Sequence, residues 1–271
     1  LHGVPAAPVP EGGPLMKAGR IAVTIMLFVT IVWMLPLYRL VSVSLSGGGV
    51  ANYAAVVAQE GIGRYLLNSA VVTAFTVVLV LALASVGAFA FSKLRFRGRN
   101  VVYGLLLSGL MIPVAAILVP LSGIQQALGL YNTYPGLILP YTALALPFAL
   151  VILRGAYDGL PDQLLEAAVV DGASTWRAFL RVMLPLTTPT LVMVGIWTFL
   201  NSWNEFLLAL LFMSAPEMRT VTVVPASFQL SFFVDVPKIF AALVIIQLPV
   251  VLLYALLQGK FQRGLTAGAV K

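Results

Sequence analysis

The chain has 271 residues and a formal net charge of +7, yet 61% of its residues are hydrophobic, only 9% are charged, and its mean hydropathy is +1.02. A soluble fold of this length cannot bury so much apolar surface, so the composition excludes an ordinary soluble domain and indicates a membrane protein. The absence of cysteine excludes disulfides and thiolate chemistry.

Six apolar runs follow one another along the chain, each close to or above the roughly 20 residues that a helix needs to cross a bilayer. They lie at residues 21–41, 66–91, 101–121, 135–153, 187–212 and 239–257. Five prolines within or at the ends of these runs each predict a kink or a helix end: Pro113, Pro120, Pro140, Pro147 and Pro249. The sequence therefore predicts an all-α polytopic membrane protein with six transmembrane helices in a domain at 19–259.

Two tails are expected to flank this domain, a disordered one at 1–18 and a C-terminal one at 260–271. The first apolar run follows Lys17 and Arg20, but it exceeds the roughly 7 to 15 residues of a signal-peptide core, so we expect a retained span. The only histidine, His2, has no second ligand nearby, and no metal or cofactor is predicted.

Positive charge is distributed unevenly between the loops. With loops assigned alternately to the two sides of the membrane, one side holds Lys17, Arg20, Lys93, Arg95, Arg97, Arg99, Arg154, Arg177, Arg181, Lys260, Arg263 and Lys271. The other side holds or borders Arg39, Arg64, Arg219 and Lys238. By the positive-inside rule the first side is cytoplasmic, so both termini and residues 154–186 are expected there. Membrane topology and anionic lipids thus account for the net charge, and no nucleic-acid partner is predicted.

Residues 158–186 form a polar, charged segment between the fourth and fifth apolar runs. Pro161 suits the first turn of a short helix at about 161–170, and Gly172 suits the left-handed residue that ends it. Ser174 can cap a second helix that continues until Pro185 interrupts it. The predicted helix-turn-helix has two interpretations, a rigid element that docks into a cleft of a soluble partner, or an amphipathic helix that lies on lipid headgroups.

One acidic residue, Glu205, lies well inside a predicted span, where an ionisable group is costly and indicates function by default. With Asn201, Trp203 and Asn204 it forms a polar and aromatic cluster, and Trp197 and Tyr141 are weaker candidates. Amide, carboxylate and aromatic groups suit a sugar, so these residues are candidates for a translocation path. The competing interpretations are a buried structural network and a helix interruption near the outer membrane surface.

Several short motifs occur in a fixed order along the chain. They are Asn52-Tyr53, Asn68-Ser69, the basic stretch 93–99, Met111-Ile112-Pro113, Leu139-Pro140-Tyr141, the segment at 166–185, Trp203-Asn204-Glu205-Phe206 and the tail 264–271. In this order they resemble the maltose-type, carbohydrate-uptake class of ABC importer permease subunits, which are inner membrane components of binding-protein-dependent transport. The resemblance covers about 52–271 and implies the type I ABC importer permease fold in a bacterial cytoplasmic membrane.

The resemblance also implies partners and roles. This non-catalytic chain would pair with a second homologous permease, an ABC ATPase dimer that hydrolyses ATP, and an extracytoplasmic sugar-binding protein. The loop at 161–185 would couple the ATPases to alternating access through Glu166, Ala167, Ala168, Asp171, Gly172, Ala173, Leu184 and Pro185. The small residues Gly264, Ala267 and Gly268 would make the tail a thin, strand-like probe between the two ATPases.

Other functions stay open at this point. An importer of the same architecture for a polyamine or a phosphorylated compound is one, although a polyamine cavity should hold more acids than Glu205. A stand-alone secondary transporter is another, but we find no internal repeats or coupling-ion residues. The sequence also departs from the family after the first span, where Ser46-Gly47-Gly48-Gly49 replaces a longer outer segment that helps to contact the binding protein.

Overall fold

The computed structural model describes residues 14–59, 61–230 and 233–269, and within these ranges the chain is almost entirely helical. The longer α-helices are α1 (Pro14–Ser44), α2 (Val50–Val57), α3 (Ile62–Lys93), α4 (Arg99–Ser108), α5 (Val114–Ala127), α6 (Tyr134–Asp158) and α7 (Gln163–Val170). They are followed by α8 (Thr175–Ala178), α9 (Leu184–Leu186), α10 (Thr188–Trp203), α11 (Leu207–Phe212) and α12 (Val236–Ala269). A π-helical turn, Phe179–Met183, joins α8 to α9.

Four described helical stretches are long and apolar enough to cross a membrane: Ile21–Ser44, Ile62–Lys93, Tyr134–Asp158 and Val236–Leu256. Two further pairs of helical stretches meet the same criteria together but are strongly bent, and counting each pair as one span gives six. One pair is Arg99–Met111 with Val114–Ala127, bent by 105°, and the other is Thr175–Leu186 with Thr188–Trp203, bent by 76°. The prediction of an all-α polytopic membrane protein is confirmed, with two of the six expected spans broken.

The breaks occur at residues that interrupt helical hydrogen bonding. The expected span at 101–121 divides at Pro113, which has an extended backbone and precedes α5. The expected span at 187–212 was too long, since α10 ends at Trp203 and a separate helix, α11, starts at Leu207. The 76° bend lies at Thr187, two residues after Pro185, so the predicted interruption comes at the end of the helical stretch Thr175–Leu186 rather than at Pro185 itself.

The helix α3 lies at the centre of the described bundle and packs mainly against α6 and α10. Small residues let these helices approach closely, because a Cβ on Gly87 would lie 2.9 Å from Leu150 Cδ2 and one on Gly195 would lie 3.4 Å from Leu81 Cδ1. In contrast, the span in α1 has none of its best apolar window buried within this chain, and α1 packs mainly along α12. The described bundle therefore leaves a large apolar surface for lipid or another subunit.

The two predicted tails and a short pair of strands complete the description of the chain. Residues 1–13 of the expected N-terminal tail lie outside the described residues, and α1 already begins at Pro14. The C-terminal tail is not strand-like, since α12 continues as a helix through Ala269. A minimal antiparallel pair of strands, β1 (Gln229–Leu230) and β2 (Phe233–Val234), was not expected in an all-α chain.

The short loop after α1 is held by Asn52, whose buried amide Nδ2 donates to the carbonyl oxygens of Ser44 and Ser46, both at 2.9 Å. Asn68 has a similar role on α3, because its Nδ2 donates to the carbonyl oxygens of Glu217 and Arg219, both at 2.9 Å. Buried amides that satisfy loop carbonyls stabilise one loop conformation. These two motif residues are therefore structural in the folded chain.

Candidate functional site

The predicted helix-turn-helix at 158–186 is present and sharply turned. The helix α7 ends in a Schellman arrangement, in which the amide of Gly172 donates to the Val169 carbonyl and the amide of Ala173 donates to the Ala168 carbonyl. Gly172 has φ of +81°, a left-handed conformation that side chains rarely adopt. The Ser174 hydroxyl then accepts from the amide of Arg177 at 3.3 Å and caps the next helix. These contacts fix the angle between the two helices.

The outer side of this helix-turn-helix is exposed, including apolar side chains that a free surface would normally avoid. Val170 at the end of α7 is 86% exposed, Val169 is half exposed, and Trp176 on the second helix is 57% exposed. Glu166 and Asp171 add carboxylates to the same exposed segment. A small apolar tip rimmed by charge is typical of a protein contact surface.

The inner side of the segment is firmly anchored to the bundle. Phe179 and Met183 of the π-helical turn are buried beside Tyr157 and Phe89, and the Phe89 and Phe179 ring centroids lie 4.9 Å apart. Beyond the turn, the Thr187 hydroxyl donates to the Leu184 carbonyl at 3.0 Å, just where the chain bends into α10. The segment is therefore packed as part of the bundle rather than as an independent element.

A buried lysine supports the start of α7. The Lys93 ammonium donates to the Leu160 carbonyl at 2.6 Å and pairs with Asp162 Oδ1 at 2.5 Å. The Lys93 side chain is only 4% exposed, whereas that of Asp162 is 73% exposed. This hydrogen bond and the positive charge of Lys93, with a smaller effect from Arg95, hold the pKa of Asp162 below its usual value. The contact therefore persists at neutral pH and is lost as pH falls through that lowered pKa.

We expect Lys93→Met to loosen the start of α7 while preserving the buried aliphatic stem. A hydrogen bond from a charged donor contributes about 1.5–3 kcal/mol, so amides at 160–166 should exchange hydrogen roughly ten times faster or more. Hydrogen exchange with mass spectrometry in nanodiscs measures this effect, with Arg97→Met as a control that removes an exposed cation. Equal protection of 160–166 in both variants would show that Lys93 does not hold the helix.

A second candidate site is a cavity of about 320 Å³ between α3, α6 and α10. Its lining combines aromatic and polar side chains, namely Thr76, Tyr141, Phe148, Trp197, Thr198, Asn201, Ser202 and Glu205, with apolar residues of 109–114 and 144–145. The Phe148 and Trp197 rings are stacked with centroids 4.0 Å apart. The structure thus brings together four of the predicted path residues, Tyr141, Trp197, Asn201 and Glu205.

The carboxylate of Glu205 is fully engaged at one end of this cavity. Its Oε2 accepts from the Tyr141 hydroxyl at 2.6 Å and the Ala209 amide at 3.1 Å, and its Oε1 accepts from the Leu208 amide at 2.9 Å. These amides are at the start of α11, where the helix dipole also favours a negative charge. In addition, the Glu205 carbonyl accepts from the Thr222 hydroxyl at 2.9 Å. Glu205 therefore lies at a helix interruption and also lines the cavity.

Two predicted path residues lie elsewhere. Trp203 is buried in a separate cluster, where its indole N–H donates to the Ile246 carbonyl at 3.0 Å and its ring stacks on Phe199. The amide of Asn204 is exposed and donates back to the Leu200 carbonyl at 2.9 Å. Several cavity residues were not predicted from the sequence, among them Thr76, Thr198, Ser202 and Phe148. Phe148 lies two helical turns after Tyr141 on α6, and this spacing is the signal that relates them.

The C-terminal residues Gly264, Ala267 and Gly268 lie on the helical backbone of α12, beyond the apolar stretch that ends at Leu256. A helix presents these small residues differently from the strand-like probe that the sequence analysis expected.

These features define a class of protein: a multi-pass membrane component with a polar cavity inside its helices and a rigid, exposed helix-turn-helix at one end of them. The chain belongs to the family of binding-protein-dependent transport system inner membrane components, whose profile matches residues 83–267. The family confirms the predicted resemblance and assigns the chain to the permeases of ABC transporters in a membrane.

Individual relatives agree with this assignment. The chain is 37% identical to a putative ABC transporter permease, ORF2 of Caldicellulosiruptor, over 82% of this chain and 80% of the relative. It is 37% identical to the diacetylchitobiose uptake permease NgcG of Streptomyces coelicolor, over 81% of this chain and 74% of the relative. It is 35% identical to the trehalose transport permease SugB of Mycobacterium tuberculosis, over 81% of both chains.

A solved structure confirms the fold. A chain from a bacterial ABC transporter that imports the acidic polysaccharide alginate superposes with a TM-score of 0.78 at 20% identity, over 93% of this chain and all of that chain. The permease fold predicted from the sequence is therefore the observed one.

Proposed function

We propose that this chain is the non-catalytic permease subunit of an ATP-driven importer that carries a sugar or oligosaccharide across a bacterial cytoplasmic membrane. The observation that carries this proposal is the connection, through α10, between the exposed helix-turn-helix and the cavity. The N-terminal end of α10 follows the buried π-helical turn and the short helix α9. The C-terminal half of α10 contains Trp197 and Asn201 and ends just before Glu205. Movement of the helix-turn-helix is thus transmitted to the walls of the cavity.

The cavity has the chemistry of a carbohydrate path. Stacked Phe148 and Trp197 offer an apolar ring face, and nearby hydroxyl and amide groups such as that of Asn201 can exchange hydrogen bonds with sugar hydroxyls. The named sugar-uptake permeases among the relatives, for diacetylchitobiose and trehalose, support the same class of substrate.

A second homologous permease completes the proposed path. Asn201 is exposed in this chain, as are Leu110 and Ile112 beside it on the cavity wall. Lipid cannot satisfy polar groups at membrane depth, so a polar cavity that is open on one side needs a protein to cover it. The unburied α1 and the apolar surface beside it are further surfaces for such a partner.

The helix-turn-helix is proposed to dock on an ABC ATPase dimer, which hydrolyses the ATP. Glu166, Ala167, Ala168 and Asp171 present small and charged groups on the exposed segment, and Gly172 sets its angle. With this end in the cytoplasm, both termini are cytoplasmic and an external sugar-binding protein delivers the substrate to the opposite face. The excess of Lys and Arg on this side supports that orientation.

Charge argues against the competing substrates. Among the residues that line the described cavity, Glu205 is the one charged group, and its oxygens are already hydrogen-bonded. A polyamine would need several free carboxylates, and a phosphorylated compound would need cationic groups. An uncharged sugar requires neither.

The test is gentle extraction of the tagged full chain from its native membrane, with mass spectrometry of the proteins that co-purify. We expect an ATPase, a second permease and a sugar-binding protein, and the ligand of that binding protein is then identified by a thermal-shift screen of neutral saccharides, uronates, sugar phosphates and polyamines. A binding protein that recognises only polyamines or phosphorylated compounds would contradict the sugar proposal. A chain that purifies alone as a stable species would contradict the importer itself.

A further inference from the structure

A groove runs between the two arms of the helix-turn-helix and encloses a cavity of about 280 Å³. Its lining consists of Ala168, Asp171, Ala173, Arg177, Ala178, Arg181 and Val182. The alanines make a floor without bulky side chains, so the groove admits a side chain from another molecule. The arginines and the aspartate supply charge around this floor.

The structure shows no side-chain partner for the two guanidinium groups in the part of the chain that it describes. Neither Arg177 nor Arg181 forms a side-chain ion pair or hydrogen bond among the described residues, although both are exposed and line the same groove. Their spacing of four residues brings the like charges together at one groove, where they repel each other. An anion bound between them would remove this repulsion, and arginine is well suited to bind carboxylate oxygens with two hydrogen bonds.

From these observations we propose that the groove receives an acidic side chain of the ATPase subunit, held by Arg177 and Arg181. The inference rests on the proposed ATPase docking and adds a contact to it. The helix-turn-helix of the permease inserts into the ATPase, and a side chain of the ATPase also inserts into the permease. Asp171 favours a polypeptide as the occupant, because its carboxylate lies at the same groove and needs a hydrogen-bond donor beside the anion that the arginines bind. A polypeptide can place an acid against the arginines and an N–H donor against Asp171.

Carbodiimide crosslinking tests the contact in the purified, assembled complex, because it joins an amine to a carboxylate that touches it. Arg177→Lys and Arg181→Lys each introduce an amine in the groove, and Arg97→Lys is the matched control in an exposed loop outside it. We expect at least one groove variant to yield a crosslinked peptide with an Asp or Glu of the ATPase, at least tenfold above the control. Crosslinks to neither variant, with the complex intact, would overturn the proposal.

Charge reversal gives a second and independent readout. Arg177→Glu with Arg181→Glu should lower the ATPase retained on the tagged chain at least tenfold, whereas Arg97→Glu, which reverses an exposed cation outside the groove, should retain it. If the reversed chain aggregates, Arg177→Gln with Arg181→Gln should still make the complex dissociate at lower salt.

The remaining outcomes are also decisive. Wild-type retention of the ATPase by both reversed and neutral groove variants would overturn the contact, and parallel loss of co-purified anionic phospholipid would assign the groove to a lipid phosphate. A wild-type chain that retains no ATPase would instead refute the proposed function itself.

Discussion

Replacement of Gly172 by valine is expected to abolish transport while leaving the chain folded in the membrane. Gly172 has φ of +81°, and a Cβ there would meet nothing within 4 Å, so backbone conformation alone opposes the substitution. A left-handed conformation costs an ordinary residue roughly 1–2 kcal/mol, and a β-branched one more. Either the turn opens or its two capping hydrogen bonds are lost, and in both cases α7 presents its exposed face at a different angle.

A graded series at this position separates turn geometry from side-chain bulk. Asparagine tolerates the left-handed region and should keep most of the uptake, alanine should reduce it, and valine should reduce it at least tenfold. Uptake of the identified sugar and the amount of chain in the membrane fraction are the two measurements. Gly155→Val is the control. It places a valine at an exposed helical position with open space around its Cβ, where no left-handed backbone conformation is required. Full uptake with Gly172→Val would refute the coupling role of the turn.

Local chemistry made this turn predictable. Helix start and stop signals occur here close together: a proline at the start, Gly172 after an acidic residue, and Ser174 two residues later. The helix observed at Gln163–Val170 lies within the predicted 161–170. The support beneath α7 was not predictable in the same way, because Lys93 is separated from Asp162 by 69 residues. Nothing local to Lys93 distinguishes a buried support from the exposed cations at Arg95 and Arg97.

The cavity was partly predictable for a related reason. Asn201 and Glu205 are four residues apart and both line the cavity, whereas Trp203 and Asn204, which the sequence places between them, do not line it. Helical rotation turns Trp203 towards Ile246 instead. The contact between Glu205 and Tyr141 joins elements 64 residues apart, and it depends on the packing of α6 against α10, which hydropathy does not specify.

Glu205 is expected to be the position in the cavity where substitution has the largest effect. Removal of its carboxylate by Glu205→Ala leaves the Tyr141 hydroxyl and the amides of Leu208 and Ala209 without their acceptor, and each unsatisfied buried group costs about 1–3 kcal/mol. We expect a marked loss of thermal stability in nanodiscs, with the break between α10 and α11 loosened. Asn201→Ala, which changes an exposed side chain of the same cavity, should leave stability nearly unchanged.

The Glu205→Gln and Tyr141→Phe variants then separate the structural role from a role in the path. Both keep the shape of the cavity, but glutamine removes the negative charge, whereas Tyr141→Phe removes one donor and leaves the charge in place. If Glu205 only closes the helix break, each variant should lose uptake in proportion to its own loss of stability. If the carboxylate also faces the passing sugar, Glu205→Gln should lower uptake or change the preference between saccharides beyond its effect on stability. Unchanged stability, uptake and preference in Glu205→Gln would refute both roles, because the hydrogen-bonded carboxylate would then be dispensable.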